Sequence, residues 1–111
     1  ELEAEVGDCR MELAAEISLL EPFGQDNKRP SFLVKDGIVT DVRYMGDEGQ
    51  HVRFTLKGEH GEYLSCVLFR RAGEFADVLR PGRRISVTGT LETQVWQGRK
   101  RLQFMAENII D

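Results

Sequence analysis

One short stretch of the sequence combines a large aromatic ring with a run of cations. Trp96, the single tryptophan of the chain, is followed by Arg99, Lys100 and Arg101. Proteins that bind single-stranded nucleic acids stack bases on flat rings and place cations along the phosphates, so the segment from Gln94 to Arg101 is the leading candidate for a binding loop. The alternative is that Trp96 packs over the edge of the fold and that the cations are simply solvated.

A second group of polar side chains would extend the same surface. It consists of Arg43, His51, Arg53 and Tyr63. These side chains alternate with apolar residues, so they are expected on the outer face of strands, although an ordinary solvated face has a similar composition. Asp47 and Glu48 oppose the binding interpretation, because they place negative charge in the first hairpin loop, where a protein that follows phosphates would favour Lys or Arg.

The remaining ionisable residues show no pattern typical of a catalytic or metal site. His51 and His60 belong to no Asp-His-His triplet, and the acidic residues lack the spacing of a metal cluster. Cys9 and Cys66 lie in different contexts, which does not indicate a disulfide framework, and Cys66 is expected to be a small core residue. We therefore expect neither catalysis nor a cofactor in this chain alone.

Length and composition indicate one globular domain. A chain of 111 residues, of which 41% are hydrophobic, is large enough to bury a single core. No apolar run approaches the roughly 18 residues that a membrane span needs. The N-terminus also lacks a basic flank followed by an apolar stretch. We therefore expect a soluble cytoplasmic protein with no membrane contact.

The negative charge of the chain is unevenly distributed. The net charge is −4, but residues 1–31 carry 8 acids and 3 bases, whereas residues 32–111 carry 11 acids and 12 bases. The acidic excess therefore belongs to the N-terminal segment. A local basic field remains available on the rest of the chain, and this permits a nucleic-acid partner without requiring one.

The apolar pattern changes from helical to strand spacing after the first segment. Leu13, Ile17 and Leu20 recur at helical spacing after a candidate N-cap at Asp8. Beyond the junction, strand-like alternation runs from Phe32 to Met45, from His51 to Leu56, from Tyr63 to Phe69, and through two later segments, one from Ile85 and one ending near Ala106. The residues expected to face inward in the third and fourth runs are Leu64, Cys66, Leu68, Ile85, Val87, Gly89 and Leu91, with Tyr63, Ser65, Val67 and Phe69 on the opposite face of the third.

Two features interrupt this series of strands. Asp36 and Gly37 break the first strand, which predicts a bulge or sharp bend of the kind that a small barrel needs. A short helix, with Phe75, Val78 and Leu79 on one side, is predicted between the third and fourth strands.

Three strands, a helix and two further strands are the element order of an OB fold. The sequence therefore predicts a mainly β protein in which a five-stranded OB barrel follows an N-terminal helix. The predicted divisions are a helix with a disordered start (1–20), a junction loop (21–31) and the barrel (32–111). OB folds commonly bind oligonucleotides on the face of their second and third strands and through neighbouring loops, which is where the candidate ring and cations fall.

The junction ahead of the first strand has a rigid, turn-rich sequence. Pro22 ends the helix, Gly24 permits a positive φ, and Pro30 starts an extended run. Phe23 and Phe32 flank this polar turn and are expected to enter the core at either end.

The order of residues in this junction resembles the one that opens the C-terminal OB domain of the RecJ family of single-stranded-DNA-specific exonucleases. The matching residues are Leu20, Glu21, Pro22, Phe23, Gly24, Asn27, Pro30 and Phe32. The family usually has glycine in place of Asp26 and proline in place of Lys28. The resemblance covers roughly Met11 to the end of the chain.

The resemblance implies a domain that holds single-stranded DNA for catalytic domains that this chain does not contain. The implied partners are single-stranded DNA, those catalytic domains and, as a further candidate, another DNA repair protein. Mn²⁺ or Mg²⁺ would belong to the catalytic domains. Two alternatives remain open: a protein-interaction module whose barrel face packs on other domains, and an OB domain from a different nucleic-acid enzyme, such as a polymerase or a tRNA synthetase.

Overall fold

The alternation of apolar and polar residues beyond position 31 forms five strands. The structure is a computed structural model that describes residues 2–19 and 29–111. The five strands are β2 (Phe32–Met45), β3 (His51–Lys57), β4 (Tyr63–Leu68), β5 (Arg84–Trp96) and β6 (Arg99–Ile110). Each corresponds to one of the predicted strands.

These strands close into a ring. β2 pairs with β3, β3 with β4, β4 in parallel with β6, and β6 with β5, and β5 returns to pair with β2. A five-stranded closed sheet with a helical turn between its third and fourth strands is an OB barrel, so the predicted fold class is confirmed.

The expected disorder at the start of the chain is wrong for the described residues. Leu2–Glu5 forms a further strand, β1, which pairs in parallel with β2 from Phe32 to Lys35. β3 pairs with β2 only from Ile38 onward, so this part of β2 has a free edge for β1. Ala4 is buried, and Glu3 forms a 2.6 Å ion pair with Lys35.

The two helical segments are shorter than the sequence suggests. After a 3₁₀ turn at Val6–Asp8, α1 spans Met11–Ser18 and buries Ala14 and Ile17. The predicted helix between the third and fourth strands of the barrel is a single 3₁₀ turn, Ala72–Phe75. Its apolar residues still contact the core, because Leu79 is buried and Phe75 and Val78 pack against it.

The core lies inside the ring and follows the predicted alternation. The inward residues of β4 and β5 are buried as expected: Leu64, Cys66, Leu68, Ile85, Val87, Gly89 and Leu91. Val67 is also buried although it faces the other side of β4, because β3 and β6 flank it with Arg53 and Met105 as its direct neighbours.

The predicted bend in the first barrel strand is confirmed. The pairing of β2 with β5 shifts register between Val34 and Gly37, and Asp36 has a φ of +56°. The Asp36 N–H donates to Ser86 Oγ at 3.2 Å, which holds the bend. Gly37 is buried against Leu56, where a side chain would be crowded.

Only part of the junction motif can be placed. Phe32 is 5% exposed in the core, as predicted, and Pro30 is half-buried. Pro22, Phe23, Gly24 and Asn27 lie outside the described residues, so the burial of Phe23 stays a prediction. Among residues 2–19 and 29–111, no helix is long and apolar enough to cross a membrane.

At Gly89, the backbone of β6 lies close to β5 and leaves no room for a side chain. The register shifts between Thr88 and Gly89, and a methyl group on Gly89 would lie 2.0 Å from the Met105 carbonyl oxygen. Such a contact forces the backbone to move. The absence of a side chain at this position is therefore a requirement of the barrel.

We predict that Gly89→Ala destabilises the chain by about 1–3 kcal/mol, the usual range for overpacking a core. The midpoint of chemical denaturation measures this change. Gly73→Ala is the matched control, because nothing lies within 4 Å of the added methyl group, and its effect should stay within about 0.5 kcal/mol. Equal midpoints for Gly89→Ala and the unmodified chain would contradict the close approach.

Both cysteines are free and buried. Burial, with a smaller contribution from the charge of Asp8, raises the pKa of the Cys9 thiol to about 11. Burial likewise raises the pKa of the Cys66 thiol, and Cys9 adds to the effect. The thiolate is the reactive form, so both groups are protected in the folded chain by burial and by protonation.

We predict that iodoacetamide at about pH 8 labels neither cysteine of the folded chain rapidly and labels both after unfolding, where the thiol pKa returns to about 8.5. Because the folded pKa is raised, the thiols contribute stability below about pH 8.5, and for Cys9 this contribution is lost as the pH rises to about 11. Mass spectrometry of the labelled chain measures the result. Rapid addition of one label under native conditions would show that one thiol is accessible.

Candidate nucleic-acid interface

The leading candidate segment is a β-hairpin and not the loop that the sequence suggested. β5 and β6 stay paired up to Trp96 and Arg99, and the turn between them is Gln97–Gly98. Both turn residues have positive φ, +50° and +75°, which is the geometry of a type I′ turn and matches the twist of the flanking strands. We call residues 92–103 the arm, because β2 pairs with β5 only as far as Gly89.

The register of the arm separates its three cations. Trp96 lies opposite Arg99, and Gln94 lies opposite Arg101, so these four side chains share one face. The Arg101 guanidinium carbon lies 5.0 Å from the centre of the Trp96 ring, a cation–π contact. Lys100 lies opposite Val95 on the other face. The arm therefore joins Arg99 and Arg101 to Trp96, but not Lys100.

The ring face of the arm borders a cleft of about 510 Å³ over the outer surface of the barrel. Its lining is formed by Arg53 of β3, Ser65 of β4, and Gln94, Val95, Trp96, Arg101, Leu102 and Gln103 of the arm. Trp96 remains 55% exposed beside this cleft. The structure thus brings Arg53 together with Trp96 and Arg101, which lie more than forty positions further along the sequence.

Two arginines face each other next to the cleft. Arg43 of β2 and Arg53 of β3 are direct partners in the register, and both are exposed. Within the described ranges, neither forms an ion pair with a carboxylate. Like charges directly opposite each other destabilise a strand pair, so an anion between them would remove an unfavourable interaction. The pair is suited to a phosphate group.

His51 has a structural partner that the sequence did not reveal. Its Nδ1 accepts a hydrogen bond from the backbone N–H of Arg70 at 2.9 Å. Its ring makes a T-shaped contact with Phe69, with 5.1 Å between ring centroids and 71° between planes. His51 is therefore engaged in holding the end of β4.

Tyr63 lies at the other end of the β3–β4 pair. Its register partner is Lys57, whose ammonium lies 6.0 Å from the centre of the tyrosine ring. Tyr63 is 63% exposed and does not line the cleft. The structure therefore does not join it to Trp96, and its predicted role in binding stays a prediction.

Phe69 is a surface ring that sequence reasoning placed outward but did not count as a candidate. It follows Tyr63, Ser65 and Val67 in the outward series of β4, and it is 49% exposed. The alternation alone could have drawn attention to it, because an exposed phenylalanine at the end of a strand has no obvious role in the core.

No group of three or more His, Cys, Asp and Glu side chains that could hold a metal ion occurs in the described part of the chain.

The closed ring, the short helical turn between β4 and β5, and the cleft beneath the arm define an OB-fold domain. The sequence matches the RecJ OB domain family over residues 1–108, and the chain belongs to that family. The resemblance to the RecJ family is thereby confirmed, and an OB domain of a polymerase or a tRNA synthetase is no longer an alternative.

Known proteins and solved structures align with most or all of this chain. It is 37% identical over 103 residues to the single-stranded-DNA-specific exonuclease RecJ of Bacillus subtilis, covering 93% of this chain and 13% of that protein. A crystal structure of RecJ in complex with Mg²⁺ from Thermus thermophilus aligns with a TM-score of 0.72 and 29% identity, covering 100% of this chain and 16% of that one. A mitochondrial single-stranded DNA binding protein from S. cerevisiae aligns with a TM-score of 0.59 and 9% identity, covering 74% of this chain and 94% of that one, a likeness of fold alone.

Proposed function

We propose that this domain binds single-stranded DNA across the outer face of β3, β4 and the arm. In this proposal the domain holds the substrate strand for the catalytic domains of a RecJ-like exonuclease. The observation that carries it is the meeting of the Trp96 ring, the Arg101 guanidinium and Arg53 in one cleft. A ring on which a base stacks, beside cations for the phosphates, is the arrangement that single-strand binders use.

The ion pairing of the arginines supports this assignment. Away from the cleft, Arg71 is paired with Glu74 at 3.0 Å and Arg83 with Asp111 at 2.5 Å, whereas Arg10, Arg70 and Arg84 form no ion pair among the described residues. Arg43, Arg53 and Arg101 have no such carboxylate partner among the described residues. Cations without internal partners keep their full charge available for a phosphate, whereas paired ones must first give up an existing contact.

The place of the domain in a longer protein is also a proposal. The chain spans 13% of the Bacillus subtilis exonuclease, so the chemistry is assigned to domains outside it. Mn²⁺ or Mg²⁺ would bind in those domains, since three-ligand clusters do not occur in residues 2–19 and 29–111. We place the parent protein in the cytoplasm. The candidate partners of this domain are the catalytic domains of that protein and another DNA repair protein.

A protein-interaction module is the second candidate. Val95 of the arm is 71% exposed, which is unfavourable for an apolar side chain unless something covers it. Asp47 and Glu48 are exposed in the turn after β2, where they repel a phosphate backbone. These features favour a protein surface against the arm. A protein surface bound there would not explain why Arg43, Arg53 and Arg101 lack carboxylate partners among the described residues.

We predict that single-stranded oligonucleotide quenches the Trp96 emission saturably and that Trp96→Ala weakens binding by about 1–3 kcal/mol, because one base loses its stacking ring. Anisotropy of a labelled oligonucleotide measures the affinity. Arg53→Gln and Arg101→Gln should each reduce the salt slope by about 0.7, the value for one phosphate contact with a single strand. Duplex should bind less well, because its bases are already stacked.

Lys100→Gln is the matched control for these substitutions. It removes the same charge from the same arm, but from the face opposite Trp96, so its salt slope should change less than that of Arg101→Gln. If Trp96→Ala and Arg53→Gln bind the oligonucleotide like the unmodified chain, DNA does not use this cleft. The protein-interaction function then takes precedence.

We further predict that the isolated chain does not degrade single-stranded DNA with Mg²⁺ or Mn²⁺, because the described residues provide no cluster of carboxylates and histidines for the metal and its attacking water. Gel analysis of an end-labelled oligonucleotide measures this. Metal-dependent degradation that co-purifies with the chain and survives His51→Ala and His60→Ala would contradict the assignment of the chemistry to other domains.

A further inference from the structure

We infer that Phe69 is a second base-stacking ring and that His51 holds it in position, so that the single strand extends from the arm to the end of β4. This inference rests on the proposed function and adds a second stacking position to it. Phe69 would stack on one base of the DNA, and Trp96 would stack on another base of the same DNA strand.

Phe69 lies on the same outer face as the cleft. Val52 and Arg53 are the register partners of Leu68 and Val67, so the next residues along the two strands, His51 and Phe69, come together. Their ring contact at 5.1 Å agrees with this continuation. Leu68, the preceding residue, is 2% exposed, whereas Phe69 is 49% exposed. The change from buried to exposed shows that Phe69 has left the core and faces outward.

The ring of Phe69 is held by His51. The T-shaped contact with His51 fixes its orientation and occupies at most one of its two faces. The next residue, Arg70, has a φ of +70°, and its N–H donates to His51 Nδ1 at 2.9 Å. His51 therefore stabilises both the ring and the unusual backbone turn behind it. A ring that is already ordered loses little conformational entropy when a base stacks on it.

The separation of Phe69 from the cleft along β4 leaves room for more than one nucleotide. Ser65 lines the cleft beside Trp96, and Phe69 follows it by four positions, which corresponds to about 13 Å at the rise of a β-strand. This distance exceeds the roughly 3.4 Å between stacked nucleotides, so the two rings would take different bases. Arg53 lies opposite Val67, midway between these positions, with Arg43 beside it. The order along the face is therefore ring, cations and ring.

The inference is tested by binding of a labelled oligothymidylate to single-residue variants, followed by anisotropy. Phe69→Leu, which keeps an apolar side chain but removes the ring, should weaken binding about 5- to 150-fold, the range for loss of one base stack. Phe69→Tyr keeps the ring and should bind within about twofold of the unmodified chain. Because Phe69 is half-exposed, both variants should keep the denaturation midpoint.

A second measurement moves the fluorescent reporter. In the double variant Trp96→Phe with Phe69→Trp, both rings are kept and the single tryptophan occupies position 69. Its emission should be quenched by the oligothymidylate with the same saturation as the anisotropy signal. His51→Ala should weaken binding by the unmodified chain but not by Phe69→Leu, because His51 acts through Phe69. An equal loss in both backgrounds would overturn the positioning role of His51.

The outcomes separate this inference from the proposed function. If Trp96→Ala weakens binding while Phe69→Leu binds like the unmodified chain, or if the tryptophan at position 69 does not respond, Phe69 is not a stacking ring and the cleft at the arm stands alone. If the unmodified chain does not bind the oligothymidylate, both the proposed function and this inference are overturned.

Discussion

The structure depends on bends that allow two long strands to close a small ring. β2 changes register at Gly37, and β5 passes so close to β6 at Gly89 that a methyl group would collide with the backbone. A flat sheet of five strands would leave two open edges, whereas these bends bring β5 onto β2. Beyond Gly89, β5 is no longer paired with β2 and continues with β6 as the arm. Closure of the barrel and placement of Trp96 beside Arg53 therefore have the same physical origin.

The net charge of −4 is a poor guide to the surface that a ligand meets. Several charges neutralise one another locally, as in the pairs of Glu3 with Lys35 and Arg71 with Glu74. Exposed pairs of this kind contribute little to stability, but they cancel each other's field at short range. The facing arginines of β2 and β3 are not cancelled in this way. At physiological salt the field decays within about 8 Å, so such a local group decides what an anion experiences.

The sequence predicted what depends on local alternation and missed what depends on pairing between distant segments. The inward residues of β5 and the bend at Gly37 follow from side-chain period and glycine placement, and both were confirmed. β1 was missed because its partner, β2, lies about thirty positions away and a short parallel strand has no hairpin turn to announce it. The arm looked like a loop because its exposed strand ends are polar. Lys100 was grouped with its neighbours because the register of a hairpin cannot be read from a run of like residues.

The site also shows why residue type alone does not define a binding surface. Arg53, Ser65 and Trp96 come from three strands, and only the ring topology brings them to one cleft. Under the proposed function, this arrangement suits an enzyme that must accept every base. A π face is common to all four bases and a phosphate is common to all nucleotides, so rings and guanidinium groups hold a strand without reading its sequence. Hydrogen bonds to base edges would instead favour one sequence over another. Under that proposal, a rigid barrel face with rings separated by cations would hold single-stranded DNA without selecting its sequence.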